Sequence, residues 1–308
     1  IKARYTPYRY LKKLPSEFEL TRQDNLGAFM KTMIIKRLES SFHAFKKTIN
    51  RFIISHEKYL QMINSGNIFI SKKLNIFDLL DEDDDNKINK LIEEDIAQKI
   101  PIKEFNSKFK EDVQSDLESL LKIQNLWKEV TNDPKIEKLI SILNKDKNLK
   151  DNKIVMFTES SETGLYLLKE LNKEFSKGIL FYSSEGGRYF DNGKICNLSQ
   201  KNGRNEIREN FDPNIKNNQK NNIKILITTD VLAEGINLHR SNVTLNYDLP
   251  WNPTKVIQRI GRVNRVGTQH KNIHVYNFFP SEKSDNEIKQ KKNIISKIQS
   301  FHDCLGSD

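Results

Sequence analysis

"KILITTDVLAEGIN", residues 224–237, joins a short β-branched run to a segment that closes on glycine and asparagine. The run "KILITT" (224–229) is one of five that punctuate the chain after Pro134. The others are "KIVMF" (153–157), "GILFYSS" (178–184), "NVTLNYDL" (242–249) and "IHVYNFF" (273–279). Between them lie stretches with helical character, at 161–176, 203–211, 253–266 and 284–303. Short β-branched runs alternating with helices predict a parallel sheet with crossover helices, an α/β layer sandwich. In open parallel sheets, ligands gather beyond the carboxyl ends of the strands. The segments that matter are therefore "TTDVLAEGIN" after the third run, "YDLPWNP" after the fourth, and "QRIGRVNRVG" (258–267) in the helix that follows.

The chain upstream reads differently. From about Leu26 to Tyr59 apolar residues recur at helical spacing, with Leu38, Phe42, Phe45, Ile49 and Phe52 stepping by four and three, which predicts one long amphipathic helix. An acidic stretch, "DEDDDNKINKLIEED" (81–95), precedes a second helical region around Val113, Leu117, Leu120 and Leu121 that ends before Asp133-Pro134. No strand pattern stands out here. Two domains are expected, a helical region over 1–130 and an α/β domain over 131–308.

Composition narrows the function class. Among 308 residues the net charge is +10, yet acidic residues are abundant, so a basic-biased surface that suits a polyanionic partner is expected. The two cysteines, Cys196 and Cys304, lack CxxC spacing; they argue against a disulfide framework or cysteine zinc site and suit a reducing cytoplasm. No apolar run approaches the roughly 20 residues that span a bilayer. The chain opens on Ile1 without a signal-peptide pattern, which suggests a piece of a longer protein.

Asn252 and Pro253 make an N-cap and first-turn proline for a helix running to about Val266. On such a helix Gln258, Arg262 and Arg265 share one face, while Val256, Ile260 and Val263 fall on another. Two guanidiniums on a rigid helix suit a polyphosphate, because guanidinium is permanently charged and matches phosphate oxygens bidentately. A solvated helix face is the plainer reading of an arginine-rich helix taken alone. Context turns the balance.

"TTDVLAEGINL", "NYDLPWNP" and the decapeptide, in this order and strand phase, resemble motifs V and VI of superfamily II helicases, most closely the Swi/Snf-type branch. "KIVMFTESSETGLYLLKEL" (153–171) resembles motif IV and its helix, and "GRNEIRENFDP" (203–213) the segment before motif V. The resemblance covers roughly residues 131–280, the second RecA-like lobe of such motors, so a RecA-like parallel sheet with flanking helices is expected, preceded by a helical insertion. It implies that Arg262 and Arg265 reach the γ-phosphate of ATP, that Gly235 and Asn237 lie close to the nucleotide, and that Gln258 links nucleotide to nucleic acid. It likewise implies nucleic-acid backbone contacts at Thr228, Thr229, Thr158 and Trp251; for Trp251 a hinge-packing role is the competing reading. Leu232 and Glu234 stand where many relatives have small residues. "KTMIIKRLESSFHAFKKTINRF" (31–52) resembles the helical segment between the lobes of bacterial helicases of phage-defence and restriction type, although a plain helical hairpin reads equally well.

Hydrolysis needs a P-loop, GxxxxGK[ST], and Mg²⁺-binding carboxylates on a strand. Neither is in this sequence. "GRYFDNGKI" (187–195) has the wrong glycine spacing and no Ser or Thr after Lys194, and "LLDEDDD" (79–85) reads as a solvated acidic linker. His270 and His274 stand four apart but lack the further ligands zinc needs. The expectation is one half of a composite ATPase, with Mg²⁺ held by an N-terminal RecA-like lobe outside this chain and double-stranded DNA as track. The isolated chain is expected to be inactive. A non-catalytic nucleic-acid or protein-binding platform and an RNA-directed motor are the alternatives.

Overall fold

Apolar spacing folds residues 17–64 into two helices, α1 (Glu17–Ser40) and α2 (Phe42–Asn64), so the long helical stretch expected over about 26–59 is broken, as the hairpin alternative requires. A computed structural model describes residues 2–70, 98–175, 178–215, 218–232, 235–268 and 270–288. The α1–α2 break falls at Ser41, where the last carbonyls of α1 have an external partner. The Lys135 ammonium donates to the Glu39 carbonyl at 2.6 Å and the Ser40 carbonyl at 3.4 Å. A cation at a helix C-terminus satisfies carbonyls that lack intrahelical donors and complements the helix dipole.

Contacts divide the chain into two compact units, residues 1–38 with 44–132, and residues 39–43 with 133–308. In the first unit α2 and α3 (Lys108–Lys128) supply the core, with Phe45, Ile49, Phe52 and Tyr59 on one helix and Phe109, Val113, Leu117 and Leu120 on the other. Leu121, expected with them, is 40% exposed. Two strands that sequence periodicity did not signal, β1 (Asn67–Ile70) and β2 (Gln98–Pro101), pair antiparallel. Each has only four residues, too few for an alternating pattern to stand out. The chain before α1 lies against α3, where the Asp116 carboxylate accepts from the Lys2 and Ala3 amides at 2.7 and 2.8 Å.

The second unit holds a seven-stranded sheet in the order β6-β5-β4-β7-β3-β8-β9. The five expected runs form its parallel part: β3 (Ile154–Phe157), β4 (Ile179–Ser183), β7 (Ile225–Thr228), β8 (Val243–Asn246) and β9 (His274–Asn277). Strands β3, β4, β7 and β8 are buried throughout, as a parallel sheet covered on both faces requires. Alternate residues point to opposite layers. Met156, Phe181, Ile227 and Leu245 pack with α4 (Pro134–Lys145) and α6 (Ser161–Phe175). On the other face Val155, Phe157, Leu180 and Leu226 pack with α7 (Gln200–Phe211) and with Val263 of α8 (Thr254–Val263). Two short helices, α5 (Lys147–Asp151) and α9 (Glu282–Ile288), complete this unit among the described residues. Gly164 permits the close approach of α6, since a Cβ there would meet the Phe181 ring at 2.2 Å.

Strands β5 (Gly186–Asp191) and β6 (Lys194–Leu198) extend the sheet as an antiparallel hairpin that the sequence reading missed. The stretch "GRYFDNGKI" is this hairpin. Asn192 and Gly193 take φ of +47° and +76°, the positive values that a two-residue type I′ turn demands and Asn-Gly supplies. The expected helix at 284–303 is described only to Ile288. Its remainder, the acidic stretch 81–95, the "LLDEDDD" segment, Glu234 and Cys304 lie outside the described residues. No helix among the described residues is long and apolar enough to cross a membrane.

Candidate functional site

Beyond the carboxyl ends of β3, β7 and β8 the chain delivers Thr158–Ser160, Thr229–Leu232 and Tyr247–Asn252, and these three segments meet on one side chain. Arg259 of α8 is 2% exposed. Its Nε and Nη2 donate to the two Asp230 oxygens at 2.7 and 3.0 Å. Nη2 also donates to Glu159 Oε1 at 3.0 Å, and Nη1 to Asn246 Oδ1 at 3.2 Å and the Asp248 carbonyl at 2.9 Å. These five bonds engage all five guanidinium N–H groups. The guanidinium carbon lies 5.2 Å from the centroid of the Phe157 ring. Lys255, 4.0 Å from Asp230, adds a second cation against two carboxylates. Sequence reading passed over Arg259, although it lies three residues after Val256 and four before Val263, both fully buried, and so on the inward face of α8.

Asp248 forms a second buried node. Its carboxylate accepts from Lys135 Nζ at 2.9 Å, Ser40 Oγ at 2.7 Å, Thr158 Oγ1 at 2.5 Å and the Glu159 amide at 3.2 Å. Burial pushes its pKa up, but the Lys135 ammonium and the hydrogen bonds from Thr158, Lys135 and Ser40 outweigh that and hold the carboxyl below its ordinary range. Thr163 bonds the hydroxyls of Ser40 and Ser41 at 2.7 and 2.9 Å, extending the node into α6.

The helix carrying the decapeptide is shorter than expected. The cap position is Pro253, without a side-chain cap bond, and Asn252 just before it accepts from the Thr254 amide at 3.0 Å; the helix ends at Val263. Asn264 leaves helical geometry at φ −87° and ψ 93°. Arg265 therefore does not share the face of Gln258 and Arg262; it opens a turn closed by the Thr268 amide on the Arg265 carbonyl at 3.0 Å, with Gly267 at φ +95°. From that turn Arg265 Nη1 donates to Asn237 Oδ1. Asn237 Nδ2 in turn donates to Asp212 at 3.3 Å, and the Leu238 amide donates to the Arg262 carbonyl at 3.2 Å. The Asn237–Leu238 segment thus meets the Arg265 guanidinium and the Arg262 backbone, with Gly235 two residues before Asn237. Gly235 holds φ +84° with nothing within 4 Å of where a Cβ would stand. Exposed backbone beside the Arg265 guanidinium is a surface that fits a phosphate group.

The remaining expected residues lie elsewhere on this edge. Gln258 is exposed on α8, Trp251 is half-buried between β8 and α8, and Thr229 is half-buried after β7. Thr158 and Thr228 are fully buried; the first donates to Asp248 and the second to the Thr229 carbonyl at 2.9 Å, so both hydroxyls are used inside the protein. His274 begins β9, and the His270 ring lies 3.3 Å from the Arg240 carbonyl. Among the described residues no group of three or more His, Cys, Asp or Glu side chains could hold a metal ion.

Residues 134–267 match the family described as helicase conserved C-terminal domain. Among curated proteins, the chain is 32% identical over 178 residues to an uncharacterized ATP-dependent helicase YqhH of Bacillus subtilis (strain 168), which covers 58% of this chain and 27% of that protein. It is 39% identical over 70 residues to the ATP-dependent RNA helicase SUB2 of Lodderomyces elongisporus, covering 23% of this chain and 15% of that one. The chain therefore spans well under a third of these relatives. A solved structure of the C-terminal part of the Fun30 ATPase domain resembles it with a TM-score of 0.40 at 20% identity, over 61% of this chain and 57% of that one.

Proposed function

We propose that this chain supplies the C-terminal motor lobe of an ATP-dependent, Swi/Snf-type helicase or translocase that moves along double-stranded DNA. The observation that supports the reading is that the segment carrying Gly235 and Asn237 is bonded to the Arg265 guanidinium and to the Arg262 carbonyl. ATP, when bound, supplies the phosphoanhydride whose hydrolysis drives the cycle. Toward it this chain contributes fixed charge: Arg262 and Arg265 oppose the negative charge that develops on the γ-phosphoryl oxygens, a task for pre-positioned guanidinium. Gly235 and Asn237 border the nucleotide, and Gln258 links it to the nucleic-acid side. Thr229, Trp251 and the neighbouring backbone meet the track's phosphates, while the buried Thr158 and Thr228 hold those segments in place. The P-loop and the Mg²⁺ carboxylates belong to an N-terminal RecA-like lobe, so the 308-residue chain alone does not turn over ATP.

The likeness of residues 31–52 to a segment of phage-defence and restriction helicases supports a bacterial defence setting in the cytoplasm. A second reading, RNA as track, draws on the shorter matches to proteins named as RNA helicases. ATP turnover by the longest natural protein that carries this segment, with double-stranded DNA, single-stranded DNA or RNA, tests the proposal. Stimulation by double-stranded DNA in the long protein, and no turnover in the 308-residue chain, is expected. Stimulation by RNA alone moves the assignment to the second reading. Turnover with none of the three leaves a non-catalytic platform.

A further inference from the structure

We propose that Arg259 is a positioning residue that makes ATP turnover responsive to nucleic acid. This rests on the motor reading above and adds a residue to it. Three separate segments beyond the sheet bond to this one side chain: Glu159 after β3, Asp230 after β7, and Asn246 with the Asp248 carbonyl at the end of β8. Two of these adjoin residues proposed to face or support the track, since Asp230 follows Thr229 and Glu159 follows Thr158. Arg262 follows one helical turn later on α8, and its carbonyl is bonded to the Leu238 amide of the Gly235–Asn237 segment.

Arg259 is thus on the same helix as Arg262 and is the hydrogen-bonded neighbour of the strand ends. A planar fork with five fixed donors cannot follow one acceptor without pulling on the rest. Displacement of the Asp230 or Glu159 segment by a bound backbone is therefore transmitted to α8, and so to Arg262 and Arg265. Lysine keeps the charge in the same buried place but has neither the plane nor five donors, so Arg259→Lys removes the linkage while leaving the carboxylates a cation. Glu159→Gln keeps an oxygen that can accept but removes its charge, so it weakens one arm and leaves the bidentate Asp230 pair.

The test measures turnover of the longest natural protein with and without nucleic acid, for wild type, Arg259→Lys and Glu159→Gln, with melting temperature recorded for each. In Arg259→Lys, turnover without nucleic acid and the KM for ATP are expected to stay within about twofold of wild type. The stimulated kcat is expected to fall at least tenfold, and in Glu159→Gln by a smaller factor in the same direction. A merely structural residue lowers basal and stimulated turnover together, and that pattern overturns the inference, as does full stimulation in both variants. Should Arg259→Lys fail to fold, Glu159→Gln decides alone: a lowered stimulation ratio supports the linkage, and an unchanged ratio overturns it. A wild-type protein without stimulation overturns the motor reading itself, which is a different result.

Discussion

In the helical unit, His56 is fully buried among rings, with Tyr5 and Phe52 centroids 6.1 and 6.3 Å away and its Nδ1 against the Phe52 carbonyl at 2.7 Å. In the sheet unit, Asp248 is as deeply placed but surrounded by a lysine ammonium, two hydroxyls and an amide. The consequences diverge. Burial, reinforced by the Arg4 charge, pushes the His56 pKa down to about 4 and keeps the ring neutral, whereas the partners of Asp248 overcome burial and keep it ionised. At His56 burial beside a fixed charge keeps the ring neutral; at Asp248 the partners retain the charge and fix its direction. Among the described residues, the sheet unit holds the buried charges of Arg259 and Asp248 at its strand ends, where ligands are expected to gather.

The largest effect that sharpens this contrast lies at Arg259. Arg259→Ala leaves Glu159 and Asp230 without their guanidinium, and breaking a buried pair costs about 3–5 kcal/mol. Urea unfolding followed through Trp251, which lies in the sheet unit, measures it. A loss below about 1 kcal/mol would mean the network is incidental to the fold.

Acid titration sets the two units apart by a smaller amount. The folded pKa of His56 is about 4 against an ordinary 6.5, so between those values the unfolded chain binds more protons and stability falls as pH falls, by roughly 3 kcal/mol in all. The Asp248 pKa is depressed below 3.8, so its contribution is complete above that value and is lost only as pH drops further. With one tryptophan in each unit, Trp127 and Trp251, single Trp→Phe variants report them separately. Trp127 fluorescence should lose its stability against urea between pH 6.5 and 4 while Trp251 holds until lower pH. His56→Phe should remove the first window, and coincident acid transitions would break the comparison.

How much could be read in advance varied with the range of the interaction. The five parallel strands are legible because each is a local apolar run, and the start of α8 because Asn252 and Pro253 act on their own helix. The Asn192-Gly193 hairpin carries a local signal as strong, in residues whose glycines and lysine also imitate a P-loop. The break at Ser41 was not local at all, since Lys135, nearly a hundred residues on, takes the carbonyls that end α1. The spacing places Arg265 on a helix that in fact ends two residues before it, and nothing local marks Arg259, whose carboxylate partners lie on other strand ends. The candidate site was legible as a set of segments; which arginine faces inward and which outward is decided by packing.

The proposed finger role is tested most directly by Arg265→Ala in the longest natural protein, assayed for turnover and for nucleotide binding under the same conditions. A fall in stimulated turnover on the order of a thousandfold is expected for loss of an arginine finger, with nucleotide affinity changed only a few-fold. Turnover close to wild type would contradict the assignment of Arg265 to the phosphoryl group.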